Sequence, residues 1–78
     1  MPYTVYVLKN RSGKLYKGIS TCVERRLEQH NRGLARWTKG KGPFVVAYTE
    51  EYESKTEALM REKFLKSGKG REFLKTIV

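Results

Sequence analysis

Seventy-eight residues suit one small domain, near the size at which a chain buries only about 60% of its unfolded surface, so residues 1–78 are expected to form a single unit. Seventeen Lys and Arg against eight Asp and Glu, a formal net charge of +9, exclude an acidic or neutral character and make a polyanion the expected partner. Cys22 is the one cysteine, which excludes an internal disulfide and a cysteine-based metal cluster. No basic leader with an apolar core, no basic amphipathic anchor and no apolar run near the roughly 20 residues that cross a bilayer is present. A soluble, cytoplasmic protein without a membrane partner is expected.

Tyr3 to Lys9 and Lys14 to Ser20 read as two strands joined by Asn10-Arg11-Ser12-Gly13. A type I turn closed by Gly13 in the left-handed conformation gives a three-residue loop and pairs Asn10 with Lys14. Leu8 then lies opposite Tyr16 and Tyr6 opposite Gly18, so both phenols share one face. Gly18 leaves an open space beside Tyr6. As ordinary strand aromatics the two tyrosines would need no further explanation.

Thr21-Cys22-Val23-Glu24 matches a capping box, which starts a helix. At about 100° per residue, Leu27, Leu34 and His30 fall within about 40° of Val23, and Arg26 within about 60°, whereas Arg25 points to the opposite side. His30 suits either a satisfied core histidine or a catalytic one. Gly33 should end this helix. The following loop interleaves Arg32, Arg36, Lys39 and Lys41 with glycines and a lone Trp37, a pattern suited to phosphate contacts and base stacking; alternatively Trp37 tucks onto the core.

Phe44 to Tyr48 is a continuous apolar run after Pro43, the mark of a central strand covered on both faces. Ser54-Lys55-Thr56-Glu57 is a second capping box. In the helix it opens, Glu62 falls inside the apolar sector facing the sheet, where a carboxylate needs a cation such as Arg26, a metal or a water-filled cleft. Ser67 to Gly70 should break this helix. Arg71 to Val78 reads as a last one presenting Phe73, Leu74 and Ile77 to Met60 and Phe64. Lys63, Lys66, Lys69, Arg71 and Lys75 form a second basic surface.

The fold class is therefore α/β, a small three-stranded antiparallel or mixed sheet flanked by helices in the order β-β-α-β-α-α. Two phenols, an arginine, a histidine and a late carboxylate together suit phosphodiester hydrolysis. One carboxylate can hold a hard divalent cation whose other ligands are water and phosphate oxygens. An arginine suits the charge growing on the phosphoryl oxygens, and a base must activate water.

The order Val5-Tyr6-Val7, Tyr16-Lys17-Gly18, Arg26-Leu27-Glu28-Gln29-His30-Asn31 and Glu62 resembles the GIY-YIG nuclease family, and Ala58 to Phe73 is similar to its small single-domain, UPF0213-like bacterial members. The resemblance implies a DNA endonuclease. Tyr6 would help activate or position the attacking water, Tyr16 would support it, Arg26 would be the helix arginine, and His30 would serve proton transfer or phosphate contact. Glu62 would be the single metal carboxylate, with Mg²⁺ or Mn²⁺. Arg32, Arg36, Trp37, Lys39, Lys41, Lys69 and Arg71 would contact nucleic acid. DNA, branched or damaged DNA included, stands ahead of RNA as the partner, with a protein partner for targeting. Ile19 stands where several active relatives have a lysine that could lower the tyrosine pKa, and strand alternation keeps Lys17 from replacing it, which leaves Arg26 and the metal's field. The alternative function is a non-catalytic nucleic-acid-binding protein that retains the fold; a lesser one is an adaptor on RNA.

Overall fold

The computed structural model describes residues 2–33 and 41–78. Their elements are β1 (Tyr3–Asn10), β2 (Leu15–Ser20), α1 (Val23–Asn31), β3 (Phe44–Tyr52), α2 (Lys55–Leu65) and α3 (Gly68–Lys75). The expected element order holds. Positions 34–40, and with them the expectations for Leu34, Arg36, Trp37 and Lys39, lie outside the described residues.

Turn chemistry sets the hairpin. Asn10 Oδ1 accepts from the Ser12 amide (3.1 Å), the Ser12 hydroxyl (2.9 Å) and the Lys14 amide (2.9 Å). Gly13 takes a left-handed φ of 85° and donates to the Asn10 carbonyl at 3.0 Å. The resulting register pairs Tyr6 with Gly18 and Leu8 with Tyr16, as the loop length requires.

The sheet is antiparallel, in the order β2-β1-β3. β1, not β3, is the central strand. Val5, Tyr6, Val7 and Leu8 are all buried, whereas Val45 and Val46 on β3 remain 62% and 40% exposed. The apolar run of β3 misled because it is interrupted: Leu8 faces Val46 and Val7 faces Tyr48, so a bulge at Ala47 changes the facing of the strand partway along.

Alternation along β1 divides the core in two. Val5 and Val7 point to Ala58, Leu65 and Leu74 under α2 and α3. Tyr6 and Leu8 point the other way, to Phe44, Tyr16, Val23 and Leu27 under α1. The result is three layers, with α1 on one face of the sheet and α2 and α3 on the other.

The helix ends depart from the expected caps in two places. At the start of α1, the Ser20 hydroxyl accepts from the Cys22 amide and donates to the Cys22 carbonyl, both at 2.9 Å. This turn makes Cys22 the cap residue, without a side-chain cap bond, and leaves Thr21 outside the helix. At the far end Gly33, φ 75°, donates to the His30 carbonyl at 3.1 Å, the expected terminating glycine. Asn31 then clamps both backbone groups of Phe44, at 2.6 and 3.2 Å, and so ties α1 to β3. Ser54 caps α2 through the Glu57 amide at 3.1 Å, as expected.

The second departure is α3, which begins at Gly68 rather than Arg71 because the Ser67 hydroxyl caps it through the Gly70 amide at 3.2 Å. Gly70 lets α3 press on the end of α2: a Cβ there would stand 2.5 Å from Leu65 Cα. Close approach at this point directs α3 onto Leu65. Ile77, Met60 and Phe64 are left 45%, 69% and 37% exposed, so the expected Met60–Phe64 seat for α3 is not used.

Arg61 fills that role. Its guanidinium lies 4.8 Å from the Phe64 ring centre and 5.0 Å from that of Phe73, and it forks onto Glu50 at 2.8 and 3.0 Å. Tyr52 donates to the same carboxylate at 2.7 Å, and Tyr48 donates to its other oxygen. Burial alone would raise the Glu50 pKa, but the bonds from Arg61, Tyr48 and Tyr52 together hold it below the usual range.

Gly70→Ala must push α3 away from backbone atoms, since no flexible side chain is there to yield. Chemical denaturation should show a loss of about 1–3 kcal/mol. Gly68→Ala meets nothing within 4 Å, and should be neutral or stabilising by up to about 1 kcal/mol.

Candidate active site

Gly18 and Tyr6 face each other across β2 and β1. The space left by the missing side chain is occupied by the Tyr6 phenol itself: a Cβ on residue 18 would stand 2.6 Å from Tyr6 Cζ. Tyr6 is thereby 1% exposed, and its hydroxyl lies 3.3 Å from His30 Nε2. The Tyr16 ring packs on the same imidazole with centroids 4.6 Å apart.

Beside this group opens a cavity of about 370 Å³ whose walls include Tyr6, Tyr16, Gly18, Arg26, Lys55 and Glu62. The two phenols come from the α1 face, Arg26 from α1, and Lys55 and Glu62 from α2 on the opposite face. They meet because β2 is an edge strand and the groups converge around that edge. Helix phase separates the two arginines as expected, Arg26 on the cavity wall and Arg25 exposed to solvent. Arg26 Nη1 is steadied by Gln29 Oε1 at 3.0 Å.

His30 occupies a different place from the other four candidates. It is buried behind Tyr6, also contacts Phe44 edge-on, and is not part of the cavity wall. Tyr6, through its hydroxyl, and Tyr16, through its ring, stand between it and the cavity. Of the alternatives open to Glu62, the ion pair with Arg26 does not form; Glu62 pairs with Lys66 at 3.6 Å. Lys55 was missed by sequence reasoning, although its spacing of seven from Glu62, with Leu59 between, puts all three on one stripe.

Burial is the main influence on the Tyr6 phenol and raises its pKa, while the Arg26 guanidinium beside it works in the opposite direction without prevailing. Burial also lowers the His30 pKa, and the Arg26 charge lowers it further. At neutral pH the pair is thus a protonated phenol next to a neutral imidazole. With its proton on Nδ1, that imidazole accepts at Nε2.

The basic residues do not form one patch. Arg32 is exposed at the end of α1 and pairs with Glu28 at 2.7 Å. Lys41 is exposed near the hairpin tip, its carbonyl accepting from Asn10 Nδ2 at 3.2 Å. Lys69 and Arg71 are exposed on α3, across the sheet from α1. Among the described residues no helix is long and apolar enough to cross a membrane.

A single cavity joins the tyrosine pair, a helix arginine and a late glutamate, the residues on which the sequence resembles the GIY-YIG family. The GIY-YIG catalytic domain model matches residues 2–75, and the chain belongs to this nuclease-type family. Within it the chain is similar to small UPF0213 proteins: it is 45% identical over 64 residues to one from Staphylococcus aureus strain Mu3, covering 81% of this chain and 78% of the relative. The solution NMR structure of a UPF0213 protein from Bacillus halodurans has 37% identity and a TM-score of 0.59, with 97% of this chain and 84% of that one covered. A solution NMR structure from E. faecalis gives 34% identity, a TM-score of 0.63 and coverage of 97% and 85%.

Nucleases of this family generally use a divalent metal. Among the described residues no group of three or more His, Cys, Asp and Glu could hold one; the carboxylate on the cavity wall is that of Glu62. That donor set fits Mg²⁺ or Mn²⁺, which keep several waters and take the remaining ligands from phosphate.

Since the folded-state pKa of His30 lies below its ordinary 6.5, protonation favours the unfolded chain. Its contribution to stability is complete above about pH 6.5 and falls away as pH drops through the folded-state value. His30 is the only histidine. Urea midpoints measured between pH 8 and pH 5 should therefore decline on the acid side, and His30→Gln should remove that decline above the carboxylate range.

Proposed function

We propose that this protein hydrolyses phosphodiester bonds in DNA with Mg²⁺ or Mn²⁺ held at Glu62. The convergence of Tyr6, Tyr16, Arg26 and Glu62 on one cavity, with His30 against the back of Tyr6, is the observation that supports this reading. A single domain acting in the cytoplasm belongs to the same reading, as do phosphate contacts by Arg32, Lys41, Lys69 and Arg71.

When bound, the divalent ion supplies positive charge to the phosphate and its leaving oxygen. Tyr6 accepts a hydrogen from the attacking water while its own proton passes to His30 Nε2, so a resident phenolate is not required. The oxygen–hydrogen bond of water breaks, the new phosphorus–oxygen bond forms opposite the leaving ester oxygen, and that oxygen takes a proton from solvent. Arg26 holds a nonbridging oxygen and meets the charge that grows there. Tyr16 keeps the imidazole in place by ring packing. Lys55 adds a cation to the cavity wall and draws the backbone in.

A second reading, a nucleic-acid-binding protein without cleavage, is favoured by Ile19 on the cavity wall and by the raised Tyr6 pKa. Supercoiled plasmid and a branched oligonucleotide incubated with Mg²⁺, Mn²⁺ or chelator separate the two. Metal-dependent nicking is expected, reduced about 10²–10⁴-fold in Tyr6→Phe and abolished in Glu62→Gln with DNA affinity retained. No nicking by the parent under any metal, with DNA still bound, would establish the second reading; nicking that survives Glu62→Ala would remove the metal assignment.

A further inference from the structure

The sheet face opposite α1 carries cations that the cavity chemistry does not use. Lys17 lies opposite Val7, and alternation turns it toward the face covered by α2 and α3, where it is half-buried. Gly70 presses α3 against Leu65 at the end of α2, and Arg71 and Lys66 are the next residues in the chain after these two contacting positions. Lys66 in turn lies one turn beyond Glu62, its Nζ 3.6 Å from the carboxylate. The three charges are close enough that Arg71 and Lys66, after burial, lower the Lys17 pKa.

Only Lys66 of the three has an acid beside it, Glu62. Among the described residues the ion pairs are Arg32–Glu28, Arg61–Glu50 and Lys66–Glu62, so neither Lys17 nor Arg71 has a carboxylate partner. Like charges gathered in this way repel one another and oppose compaction. A bound anion removes that repulsion.

We propose that Lys17, Lys66 and Arg71 form a second phosphate site outside the cavity, which grips the nucleic-acid strand on one side of the bond being cut. The inference rests on the nucleic-acid reading of the cavity. A backbone, not a lone anion, is the occupant because the cluster begins one helical turn, about 5.4 Å, from Glu62. Successive phosphates of one strand are spaced at about 3.4 Å of helix axis, so a strand with one phosphate in the cavity places a following one or two on the cluster. Lys66 joins the two sites, since it belongs to the cluster and is tied to the cavity glutamate.

Binding of a short fluorescein-labelled DNA duplex, followed by anisotropy in chelator across about 50–200 mM salt, tests this separately from cleavage. Lys17→Met, which keeps the apolar stem, and Arg71→Ala should each weaken binding several-fold and flatten the slope of log affinity against log salt by about 0.9. Lys14→Ala at the hairpin and Arg25→Ala on the outer side of α1 should leave both unchanged. Thermal melts confirm that each variant is folded.

A folded Lys17→Met/Arg71→Ala variant with the parental slope overturns the proposal, and if the parent still nicks plasmid the nuclease reading stands without it. A parent that binds but does not cut, with the slope flattened in the variants, supports the cluster and refutes the nuclease. A parent that binds no DNA overturns both.

Discussion

The seating of the Tyr6 ring over Gly18 is the contact on which the site depends. It requires a residue without a side chain directly opposite an aromatic one, and the Asn10 turn meets that requirement through a loop of one particular length. A shift of one residue would send Tyr6 and Tyr16 to opposite faces and separate Tyr6 from His30. The turn carboxamide makes three hydrogen bonds. Register and site geometry are therefore set at the hairpin tip, some distance from the cavity itself.

The other half of the site depends on how α2 is held. Glu62 follows Arg61, whose guanidinium is fixed by Glu50 on β3 and flanked by Phe64 and Phe73. A bidentate pair adds geometric specificity to the way the helix is set against the sheet. The neighbour of Arg61, Glu62, then lines the cavity together with residues of β2. The network on one side of the sheet thus positions an acid for a cavity whose phenols come from the other side.

Charge is distributed unequally through this small molecule. The carboxylates at positions 28, 50 and 62 are each matched to a cation, and the chain carries a net +9; its described cations include exposed Lys69 and Arg71 and the cavity's Arg26 and Lys55. Inside, Tyr6 and His30 are held neutral by burial. A neutral hydrogen-bonded pair within a cationic shell can pass a proton and attract a polyanion at the same time, because the two properties reside on different side chains.

Much of this arrangement was legible before any coordinates. The hairpin register followed from the Asn10–Gly13 turn, the choice of Arg26 over Arg25 from helix phase, and the placement of Glu62 near the sheet from a carboxylate within an apolar stripe; each rests on interactions within a few residues. The family resemblance added roles for those residues. Strand order did not follow, because an apolar run reports burial but not which neighbours supply it, and the bulge at Ala47 exposes part of the run on β3. The start of α3 was missed because Gly70 looks like a helix breaker until Leu65 is seen against it. Lys55 and the Glu50–Arg61 pair, eleven residues apart, became meaningful only once α2 was packed on the sheet. Local sequence determined the elements, their phase and the chemical groups they carry; tertiary structure decided which groups meet, since that depends on contacts between segments that have no fixed spacing along the chain.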